Sequence, residues 1–360
     1  MNWVIRVAIG LAVLVVLAIV AFQMFRVQLA ERAFEAAVER NMGRNAIADL
    51  DDGLHVYLCG TGSPFPSNRA GPCIGVLAGD QSFIFDAGSG SIRNLMQMGF
   101  PIERLEAAYL THLHSDHIDG MGELLLQAWI AGGRSEPLPV IGPAGTERVL
   151  NAFVEAYEID RGYRIAHHGT EVAIPSGFGG VAEEITLPLG PSVSKTAYQD
   201  GDVTITVIRV DHAPIEPAFA YRVDYKDRSI SLSGDTIYHS GFVAASEGVD
   251  LMLHEALDPE MTKVLQDALT RADRPRTATI MHDILDYHAT PEDGARAAAE
   301  AGAQDLVYYH IVPPLPVRAL NAVWLGDAAD QFDGKITVGE DGTLVSLPAG
   351  GNAIQYSRAY

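Results

Sequence analysis

Thr111 to Gly120 reads THLHSDHIDG and directly follows the apolar run Ala107–Leu110. His112, His114, Asp116 and His117 fall within six residues, and a glycine closes the stretch. A single histidine on an apolar face is ordinarily a satisfied core residue. Three of them with a carboxylate in one loop are costly to desolvate unless a cation holds them together. Their spacing divides them. His112 and His114, two apart, can face one ion, while Asp116 and His117 turn onto the following residues and can face a second. Two ions about 3.5–4 Å apart can share a hydroxide and clamp both the attacking and the leaving oxygen of a displacement, which is hydrolytic machinery.

Four side chains do not complete two such sites, so further ligands must follow other strands. His212 follows the apolar run Val203–Val210, Asp235 sits in LSGDT after Ser229–Leu232, and His310 follows Leu306–Tyr309. Sites in α/β proteins gather at the carboxyl ends of strands, so the three fit one plan. Short apolar runs at Leu54–Cys59, Cys73–Leu77, Ser82–Phe85, Ala218–Val223 and Leu251–Leu253 read as further strands. Helical patterns occupy Ile92–Met98, Met121–Ile130, Glu147–Tyr157, Met261–Leu269, Pro291–Ala301 and Ala319–Phe332. Strands alternating with helices define an α/β class.

The N-terminus is of another kind. Val7–Phe25 is a 19-residue apolar run between Arg6 and Arg26, with Gln23 its one strongly polar side chain. At about 1.5 Å per residue it spans roughly 28 Å, close to a bilayer core, and no small-residue cleavage pair follows it well. It reads as an uncleaved single-pass anchor (1–25), with 26–53 as a stalk and linker, 54–350 as the main domain and 351–360 as a tail. Leu29, Ala33, Val38 and Met42 give the stalk the pattern of a short amphipathic helix. Arg26, Arg32, Arg40 and Arg44 after the run favour a cytoplasmic body by the positive-inside count, whereas the short leading tail favours export. The side stays open. So does the state of the cysteines: Cys59 ends one strand and Cys73 begins the next, so a hairpin can bring them together as a bridge or leave two buried thiols.

Taken in order, HxHxDH, a later histidine, SGDT and a final histidine resemble the metallo-β-lactamase superfamily. The fuller likeness is to its tRNase Z and arylsulfatase-like branch, through GTGSPFPSNRAGPCIGV (60–76), FDAGSG (85–90), GPAG (142–145), DHAPIEPAFAYRV (211–223), HEA (254–256) and YHATPED (287–293). The resemblance implies an αβ/βα four-layer sandwich with two divalent metal ions at one edge, zinc by preference and manganese or iron as alternatives. It implies that His112, His114 and His212 bind the first ion, that Asp116, His117 and His310 bind the second, and that Asp235 bridges them. Asp86 resembles the carboxylate that orients ligand histidines. His288 matches the proton donor to the leaving oxygen, and Glu255 the carboxylate that orients it. His254 is expected to be structural, with His167, His168 and His282 at the surface or the pocket rim.

Several functions are disfavoured. Redox diiron relatives carry glutamate where His114 stands, glyoxalase-type relatives carry a C-terminal domain too large for the 50 residues after His310, and GTGSP with YHATPED sets the chain apart from β-lactamases. A net charge of −21, from 25 basic and 46 acidic side chains, repels polyanions. The gap from His212 to Asp235 barely holds two strands, leaving no room for a long tRNA-gripping arm. The expected activity is therefore hydrolysis of a small ester, such as a sulfate ester or phosphodiester, by a membrane-anchored enzyme. A tRNA 3′-end endoribonuclease is the alternative, and a non-catalytic metal sensor a third reading. Pocket specificity is expected from the Trp129–Pro137 and Tyr157–Gly180 loops, and the oligomeric state, a homodimer included, is open.

Overall fold

The computed structural model describes residues 2–42, 47–190 and 192–359, which divide into two compact units, Met1–Asp49 and Leu50–Tyr360. The first unit is one helix, Asn2–Met42. Anchor and stalk are thus continuous: no proline interrupts the segment, and Gly10 is its one glycine. Its most apolar window has a mean hydropathy of 2.9, and by length and composition Trp3–Glu39 can cross a membrane.

The second unit is two sheets face to face. One has eight strands, in the order Gln355–Arg358, Thr343–Pro348, Gly53–Gly60, Cys73–Ala78, Gln81–Phe85, Leu105–Tyr109, Leu138–Gly142 and Gly180–Glu184. The other has seven: Lys335–Val338, Asp305–Val312, Leu251–Leu257, Arg228–Leu232, Ala218–Tyr225, Val203–Val210 and Ser194–Asp200. Alternation along each strand sends one set of side chains into the seam, so Leu54, Val56 and Leu58 meet Ile205, Val207, Tyr221 and Leu253 there. The opposite faces carry helices. Ser91–Gln97, Met121–Ile130 and Thr146–His168 cover the first sheet, and Ser240–Ala245 and Pro291–Ala301 cover the second, giving the four layers.

Three expectations change. Ala319–Phe332 is not one helix but a turn of 3-10 helix, the short helix Asn321–Trp324 and another 3-10 turn, because Gly326 takes a positive φ of 49° and stops the pattern. The stretch from Tyr157 to His168, read as loop, prolongs the helix that begins at Thr146. Residues 351–360, read as a tail outside the domain, supply the edge strand Gln355–Arg358, paired to Thr343–Ser346.

Cys59 and Cys73 are joined by a disulfide across the first hairpin, with Cα atoms 5.1 Å apart. The bridge clasps the base of the Gly60–Pro72 loop. Replacing Leu253, which has no exposed surface in the seam, by alanine should cost about 2–5 kcal/mol. A chemical denaturation midpoint unchanged in Leu253→Ala would contradict this placement of the core.

Candidate metal centre

The residues singled out for the site gather at one edge of the sandwich. Asp86, His212 and Asp235 follow strands, and His112 to His117 occupy the loop and short helix after Leu105–Tyr109. Glu255 and His310 lie near the ends of their strands, and His288 stands in the loop before Pro291–Ala301. Asp86 follows Gln81–Phe85 and takes a positive φ of 58°, uncommon for a residue with a Cβ. That turn brings its carboxylate beneath the histidine loop. Oδ1 accepts from the Thr111 amide at 2.8 Å, and Oδ2 accepts from the Thr111 hydroxyl and lies 2.8 Å from His117 Nδ1. Thr111 Oγ1 is in turn 3.1 Å from His112 Nδ1. On the far side, His212 Nδ1 donates to the Tyr287 carbonyl at 2.9 Å. With Nδ1 engaged in each ring, Nε2 is left as the lone-pair donor.

Those Nε2 atoms converge. On His112, His117 and His212, all fully buried, Nε2 has no hydrogen-bond partner among the described residues. All three lie near one oxygen, Asp235 Oδ2, at 3.8, 3.4 and 3.9 Å, and His310 Nε2 lies 3.3 Å from it. Two donor sets share the space: His112, His114, His212 and Asp235, and beside them Asp116, His117 and His310. His310 Nε2 is 3.3 Å and His117 Nε2 3.7 Å from Asp116 Oδ2. Buried donors without partners are expensive unless something binds them, so these residues fit two divalent cations. Asp235, whose Oδ1 also lacks a partner, stands between the sets as the bridging position requires.

Electrostatics agree. Burial pushes the His112, His114 and His212 imidazoles below their ordinary pKa, keeping them neutral and able to donate lone pairs. Burial acts the same way on His117 and His310, but carboxylates outweigh it: Asp235, Asp86 and Asp116 for His117, Asp235 and Asp116 for His310, which is pushed up to about 9. Burial also resists ionisation of Asp235, yet His310 and His117 hold its carboxyl well below the usual range. The centre therefore demands positive charge, from protons or from metal.

His310 reaches the site through a backbone irregularity. Glu255 pairs with Tyr309 and Ala256 with Ile311, so His310 is the extra residue of a bulge, with a positive φ of 49°. Bulges re-aim a side chain out of the strand's alternation. Opposite it, Glu255 is fully buried, and its Oε1 is 3.0 Å from His288 Nδ1 while accepting from the Thr236 and Ala289 amides. One carboxylate thus ties His288 to the loop that carries Asp235. His288 also lies near Asp235 and His310, in a third group within 4.8 Å. His254 is buried, with Nδ1 2.6 Å from the Glu255 carbonyl and its ring against Phe242, a packing role. His167, His168 and His282 are exposed. Thr111 and the Tyr287 carbonyl, which orient two of the rings, were not singled out from the sequence; adjacency to His112 and His288 was the available signal.

A two-sheet sandwich with paired histidine and aspartate sets at its strand ends defines a metallo-β-lactamase-fold hydrolase. Residues 81–311 match the family described as the β-lactamase superfamily domain, and the chain belongs to that family. Ribonuclease Z of Mycobacterium avium is 35% identical over 305 residues, covering 82% of this chain and 99% of the relative. Ribonuclease Z of Mycobacterium bovis BCG is 35% identical over 291 residues, covering 80% and 96%. Among solved structures, the short form of human tRNase Z superposes with a TM-score of 0.57 at 22% identity, covering 82% of this chain and 99% of that one. The metallo-β-lactamase-fold protein YhfI of Bacillus subtilis gives 0.55 at 23%, covering 82% and 100%.

Asp86→Ala is expected to weaken divalent-metal affinity about 10–100-fold by freeing the His117 ring. Competition against a chelator measures it, and an unchanged affinity would remove Asp86 from any orienting role.

Proposed function

We propose that this chain is a membrane-tethered, binuclear phosphodiesterase with a ribonuclease Z-like centre. The observation that carries the reading is the Glu255–His288 pair poised over the two donor sets. Of the ester bonds the sequence left open, the name shared by the relatives favours the phosphodiester over the sulfate ester. The first ion would be held by His112, His114 and His212, the second by Asp116, His117 and His310, with Asp235 between; these nitrogen and oxygen donors suit zinc, and also manganese or iron. Two such ions supply Lewis acidity at the phosphoryl oxygens and acidify the attacking water.

The rest falls to the side chains. Glu255 holds His288 by Nδ1, which leaves Nε2 as the nitrogen that would give a proton to the departing oxygen at the adjoining centre. The backbone amides of Thr236 and Ala289 fix the Glu255 carboxylate in that pose.

A second reading, cleavage at tRNA 3′ ends, is supported by the names of the relatives at least as well as a small substrate is. Three features pull away from it. Strands Ala218–Tyr225 and Arg228–Leu232 are joined by a tight turn at Lys226–Asp227, so no arm rises between His212 and Asp235. The net charge is −21. The Cys59–Cys73 bridge is of the kind that persists in oxidising compartments, which supports an anchored domain on the exported side, away from tRNA. Full-length protein with zinc or manganese should turn over bis(4-nitrophenyl) phosphate and leave a precursor tRNA intact; efficient 3′-end cleavage would install the second reading.

Two ions per chain are expected by metal analysis, and Asp235→Ala should impair both sites. One ion or fewer after reconstitution with excess zinc would contradict the assignment. His288→Ala should retain both ions and lose about 10²–10⁴-fold in rate on alkyl leaving groups. It should lose far less on nitrophenyl ones, whose phenolate departs unaided. An equal loss on both would leave His288 as a positioning residue only.

A further inference from the structure

Helix Pro259–Arg271 begins at an Asp258 cap whose side chain accepts from the Met261 amide at 2.6 Å. Met261, Val264, Leu265, Ala268 and Leu269 recur at the spacing of an apolar helical stripe. Such a stripe is normally buried against the protein's own core. Here Thr262 is the one buried residue of the helix, and Val264 is 68% exposed. The stripe instead forms one wall of an open groove of about 1050 Å³, with Phe65, Met281 and the Pro313–Val317 segment as further apolar lining and Arg69, Arg318, Glu340 and Asp341 among its charged lining. That volume lies just above the range of ordinary small-molecule sites, about 300–1,000 Å³.

The groove adjoins the catalytic centre. Phe65, Leu265, Leu269 and Tyr287 pack on one small cluster made by Leu257, Met281, Ile284 and Val312. Tyr287 then meets the His212 ring edge-on at 4.7 Å and the His288 ring at 4.8 Å. Tyr287 therefore packs both on the cluster that gives Met281 to the groove and on the rings of the site, without itself lining the groove. The covalent route says the same: the stripe lies within the segment that starts at Glu255 and ends at His288, and Pro313 is three residues beyond His310.

We propose that the groove binds the hydrophobic arm of an amphiphilic phosphodiester whose phosphoryl group lies at the metal centre. The proposal rests on the phosphodiesterase reading and names its substrate class. A concave trough with apolar residues along two sides, separated from the metal centre by the Tyr287 layer, suits a flexible alkyl chain. Arm binding would add transition-state affinity in proportion to the methylenes removed from water.

The test uses full-length protein in lipid nanodiscs and the series methyl, butyl, hexyl and octyl 4-nitrophenyl phosphate. Full burial is worth about 0.8 kcal/mol per methylene, roughly fourfold each, so partial burial should still raise kcat/KM about tenfold or more from methyl to octyl. In Val264→Asp and Leu265→Gln the octyl-to-methyl ratio should fall close to unity. Val264 is mostly exposed, so its replacement does not threaten the fold. Titration calorimetry with octylphosphonate and methylphosphonate reads the groove without turnover, and the octyl preference should vanish in the same variants. A flat series in the wild type with brisk methyl turnover overturns the proposal, as does a preference that survives both variants. Loss of a dimer in Val264→Asp with an unchanged ratio also overturns it, by assigning the groove to a second copy. No turnover of any member, with the octylphosphonate preference intact and lost in the variants, leaves the groove standing and rejects the phosphodiesterase reading instead.

Discussion

The carboxylate of Asp235 sits out of water among four imidazoles, and the rest of the site is arranged around that expense. A buried carboxylate and buried ring nitrogens without partners are tolerable only when opposite charge lies between them. Each supporting contact keeps that charge deficit in place. Asp86 and Thr111 occupy the Nδ1 faces of His117 and His112, and the Tyr287 carbonyl occupies that of His212, so none of these rings can relieve its exposed nitrogen by turning away. The binding geometry is thus enforced by hydrogen bonds that lie outside it.

The two sheets make such crowding possible. Parallel neighbours such as Gln81–Phe85 with Leu105–Tyr109, and Arg228–Leu232 with Leu251–Leu257 and Asp305–Val312, end at the same edge of the sandwich. Loops that are far apart in sequence then meet over the seam. Regular strands alone would not suffice, because alternation sends neighbouring side chains to opposite faces. The positive φ at Asp86 and the bulge at His310 are where the chain departs from regularity, and both departures turn a functional side chain inward.

The segment from Glu255 to His288 connects chemistry with selectivity. Its two ends meet in the Glu255–His288 contact, and its middle carries an amphipathic helix whose apolar stripe is only partly covered. The short hairpin between His212 and Asp235 leaves open the approach that a nucleic-acid-gripping arm would occupy.

From the sequence alone, the ligand series was legible, because THLHSDHIDG places four chemical groups within six residues and no bland reading accounts for them together. The α/β class and the apolar N-terminal helix were legible too from local patterns, whereas Asp86 and the Glu255–His288 pair were reached only through the family resemblance. Three things were decided only by the tertiary structure. The pairing of Cys59 with Cys73 depends on the register of Gly53–Gly60 against Cys73–Ala78, which the residue types leave free. Strand Thr343–Pro348 and the edge strand Gln355–Arg358 have weak patterns of their own and add in turn to the side of Gly53–Gly60 that the first hairpin leaves unpaired. The stripe on Pro259–Arg271 reads from sequence only as a helical pattern, and its partial exposure along a groove follows from which segments pack beside it. Spacing along a chain encodes which groups can act together locally; which of them are buried, paired or left open is set by contacts between segments hundreds of residues apart.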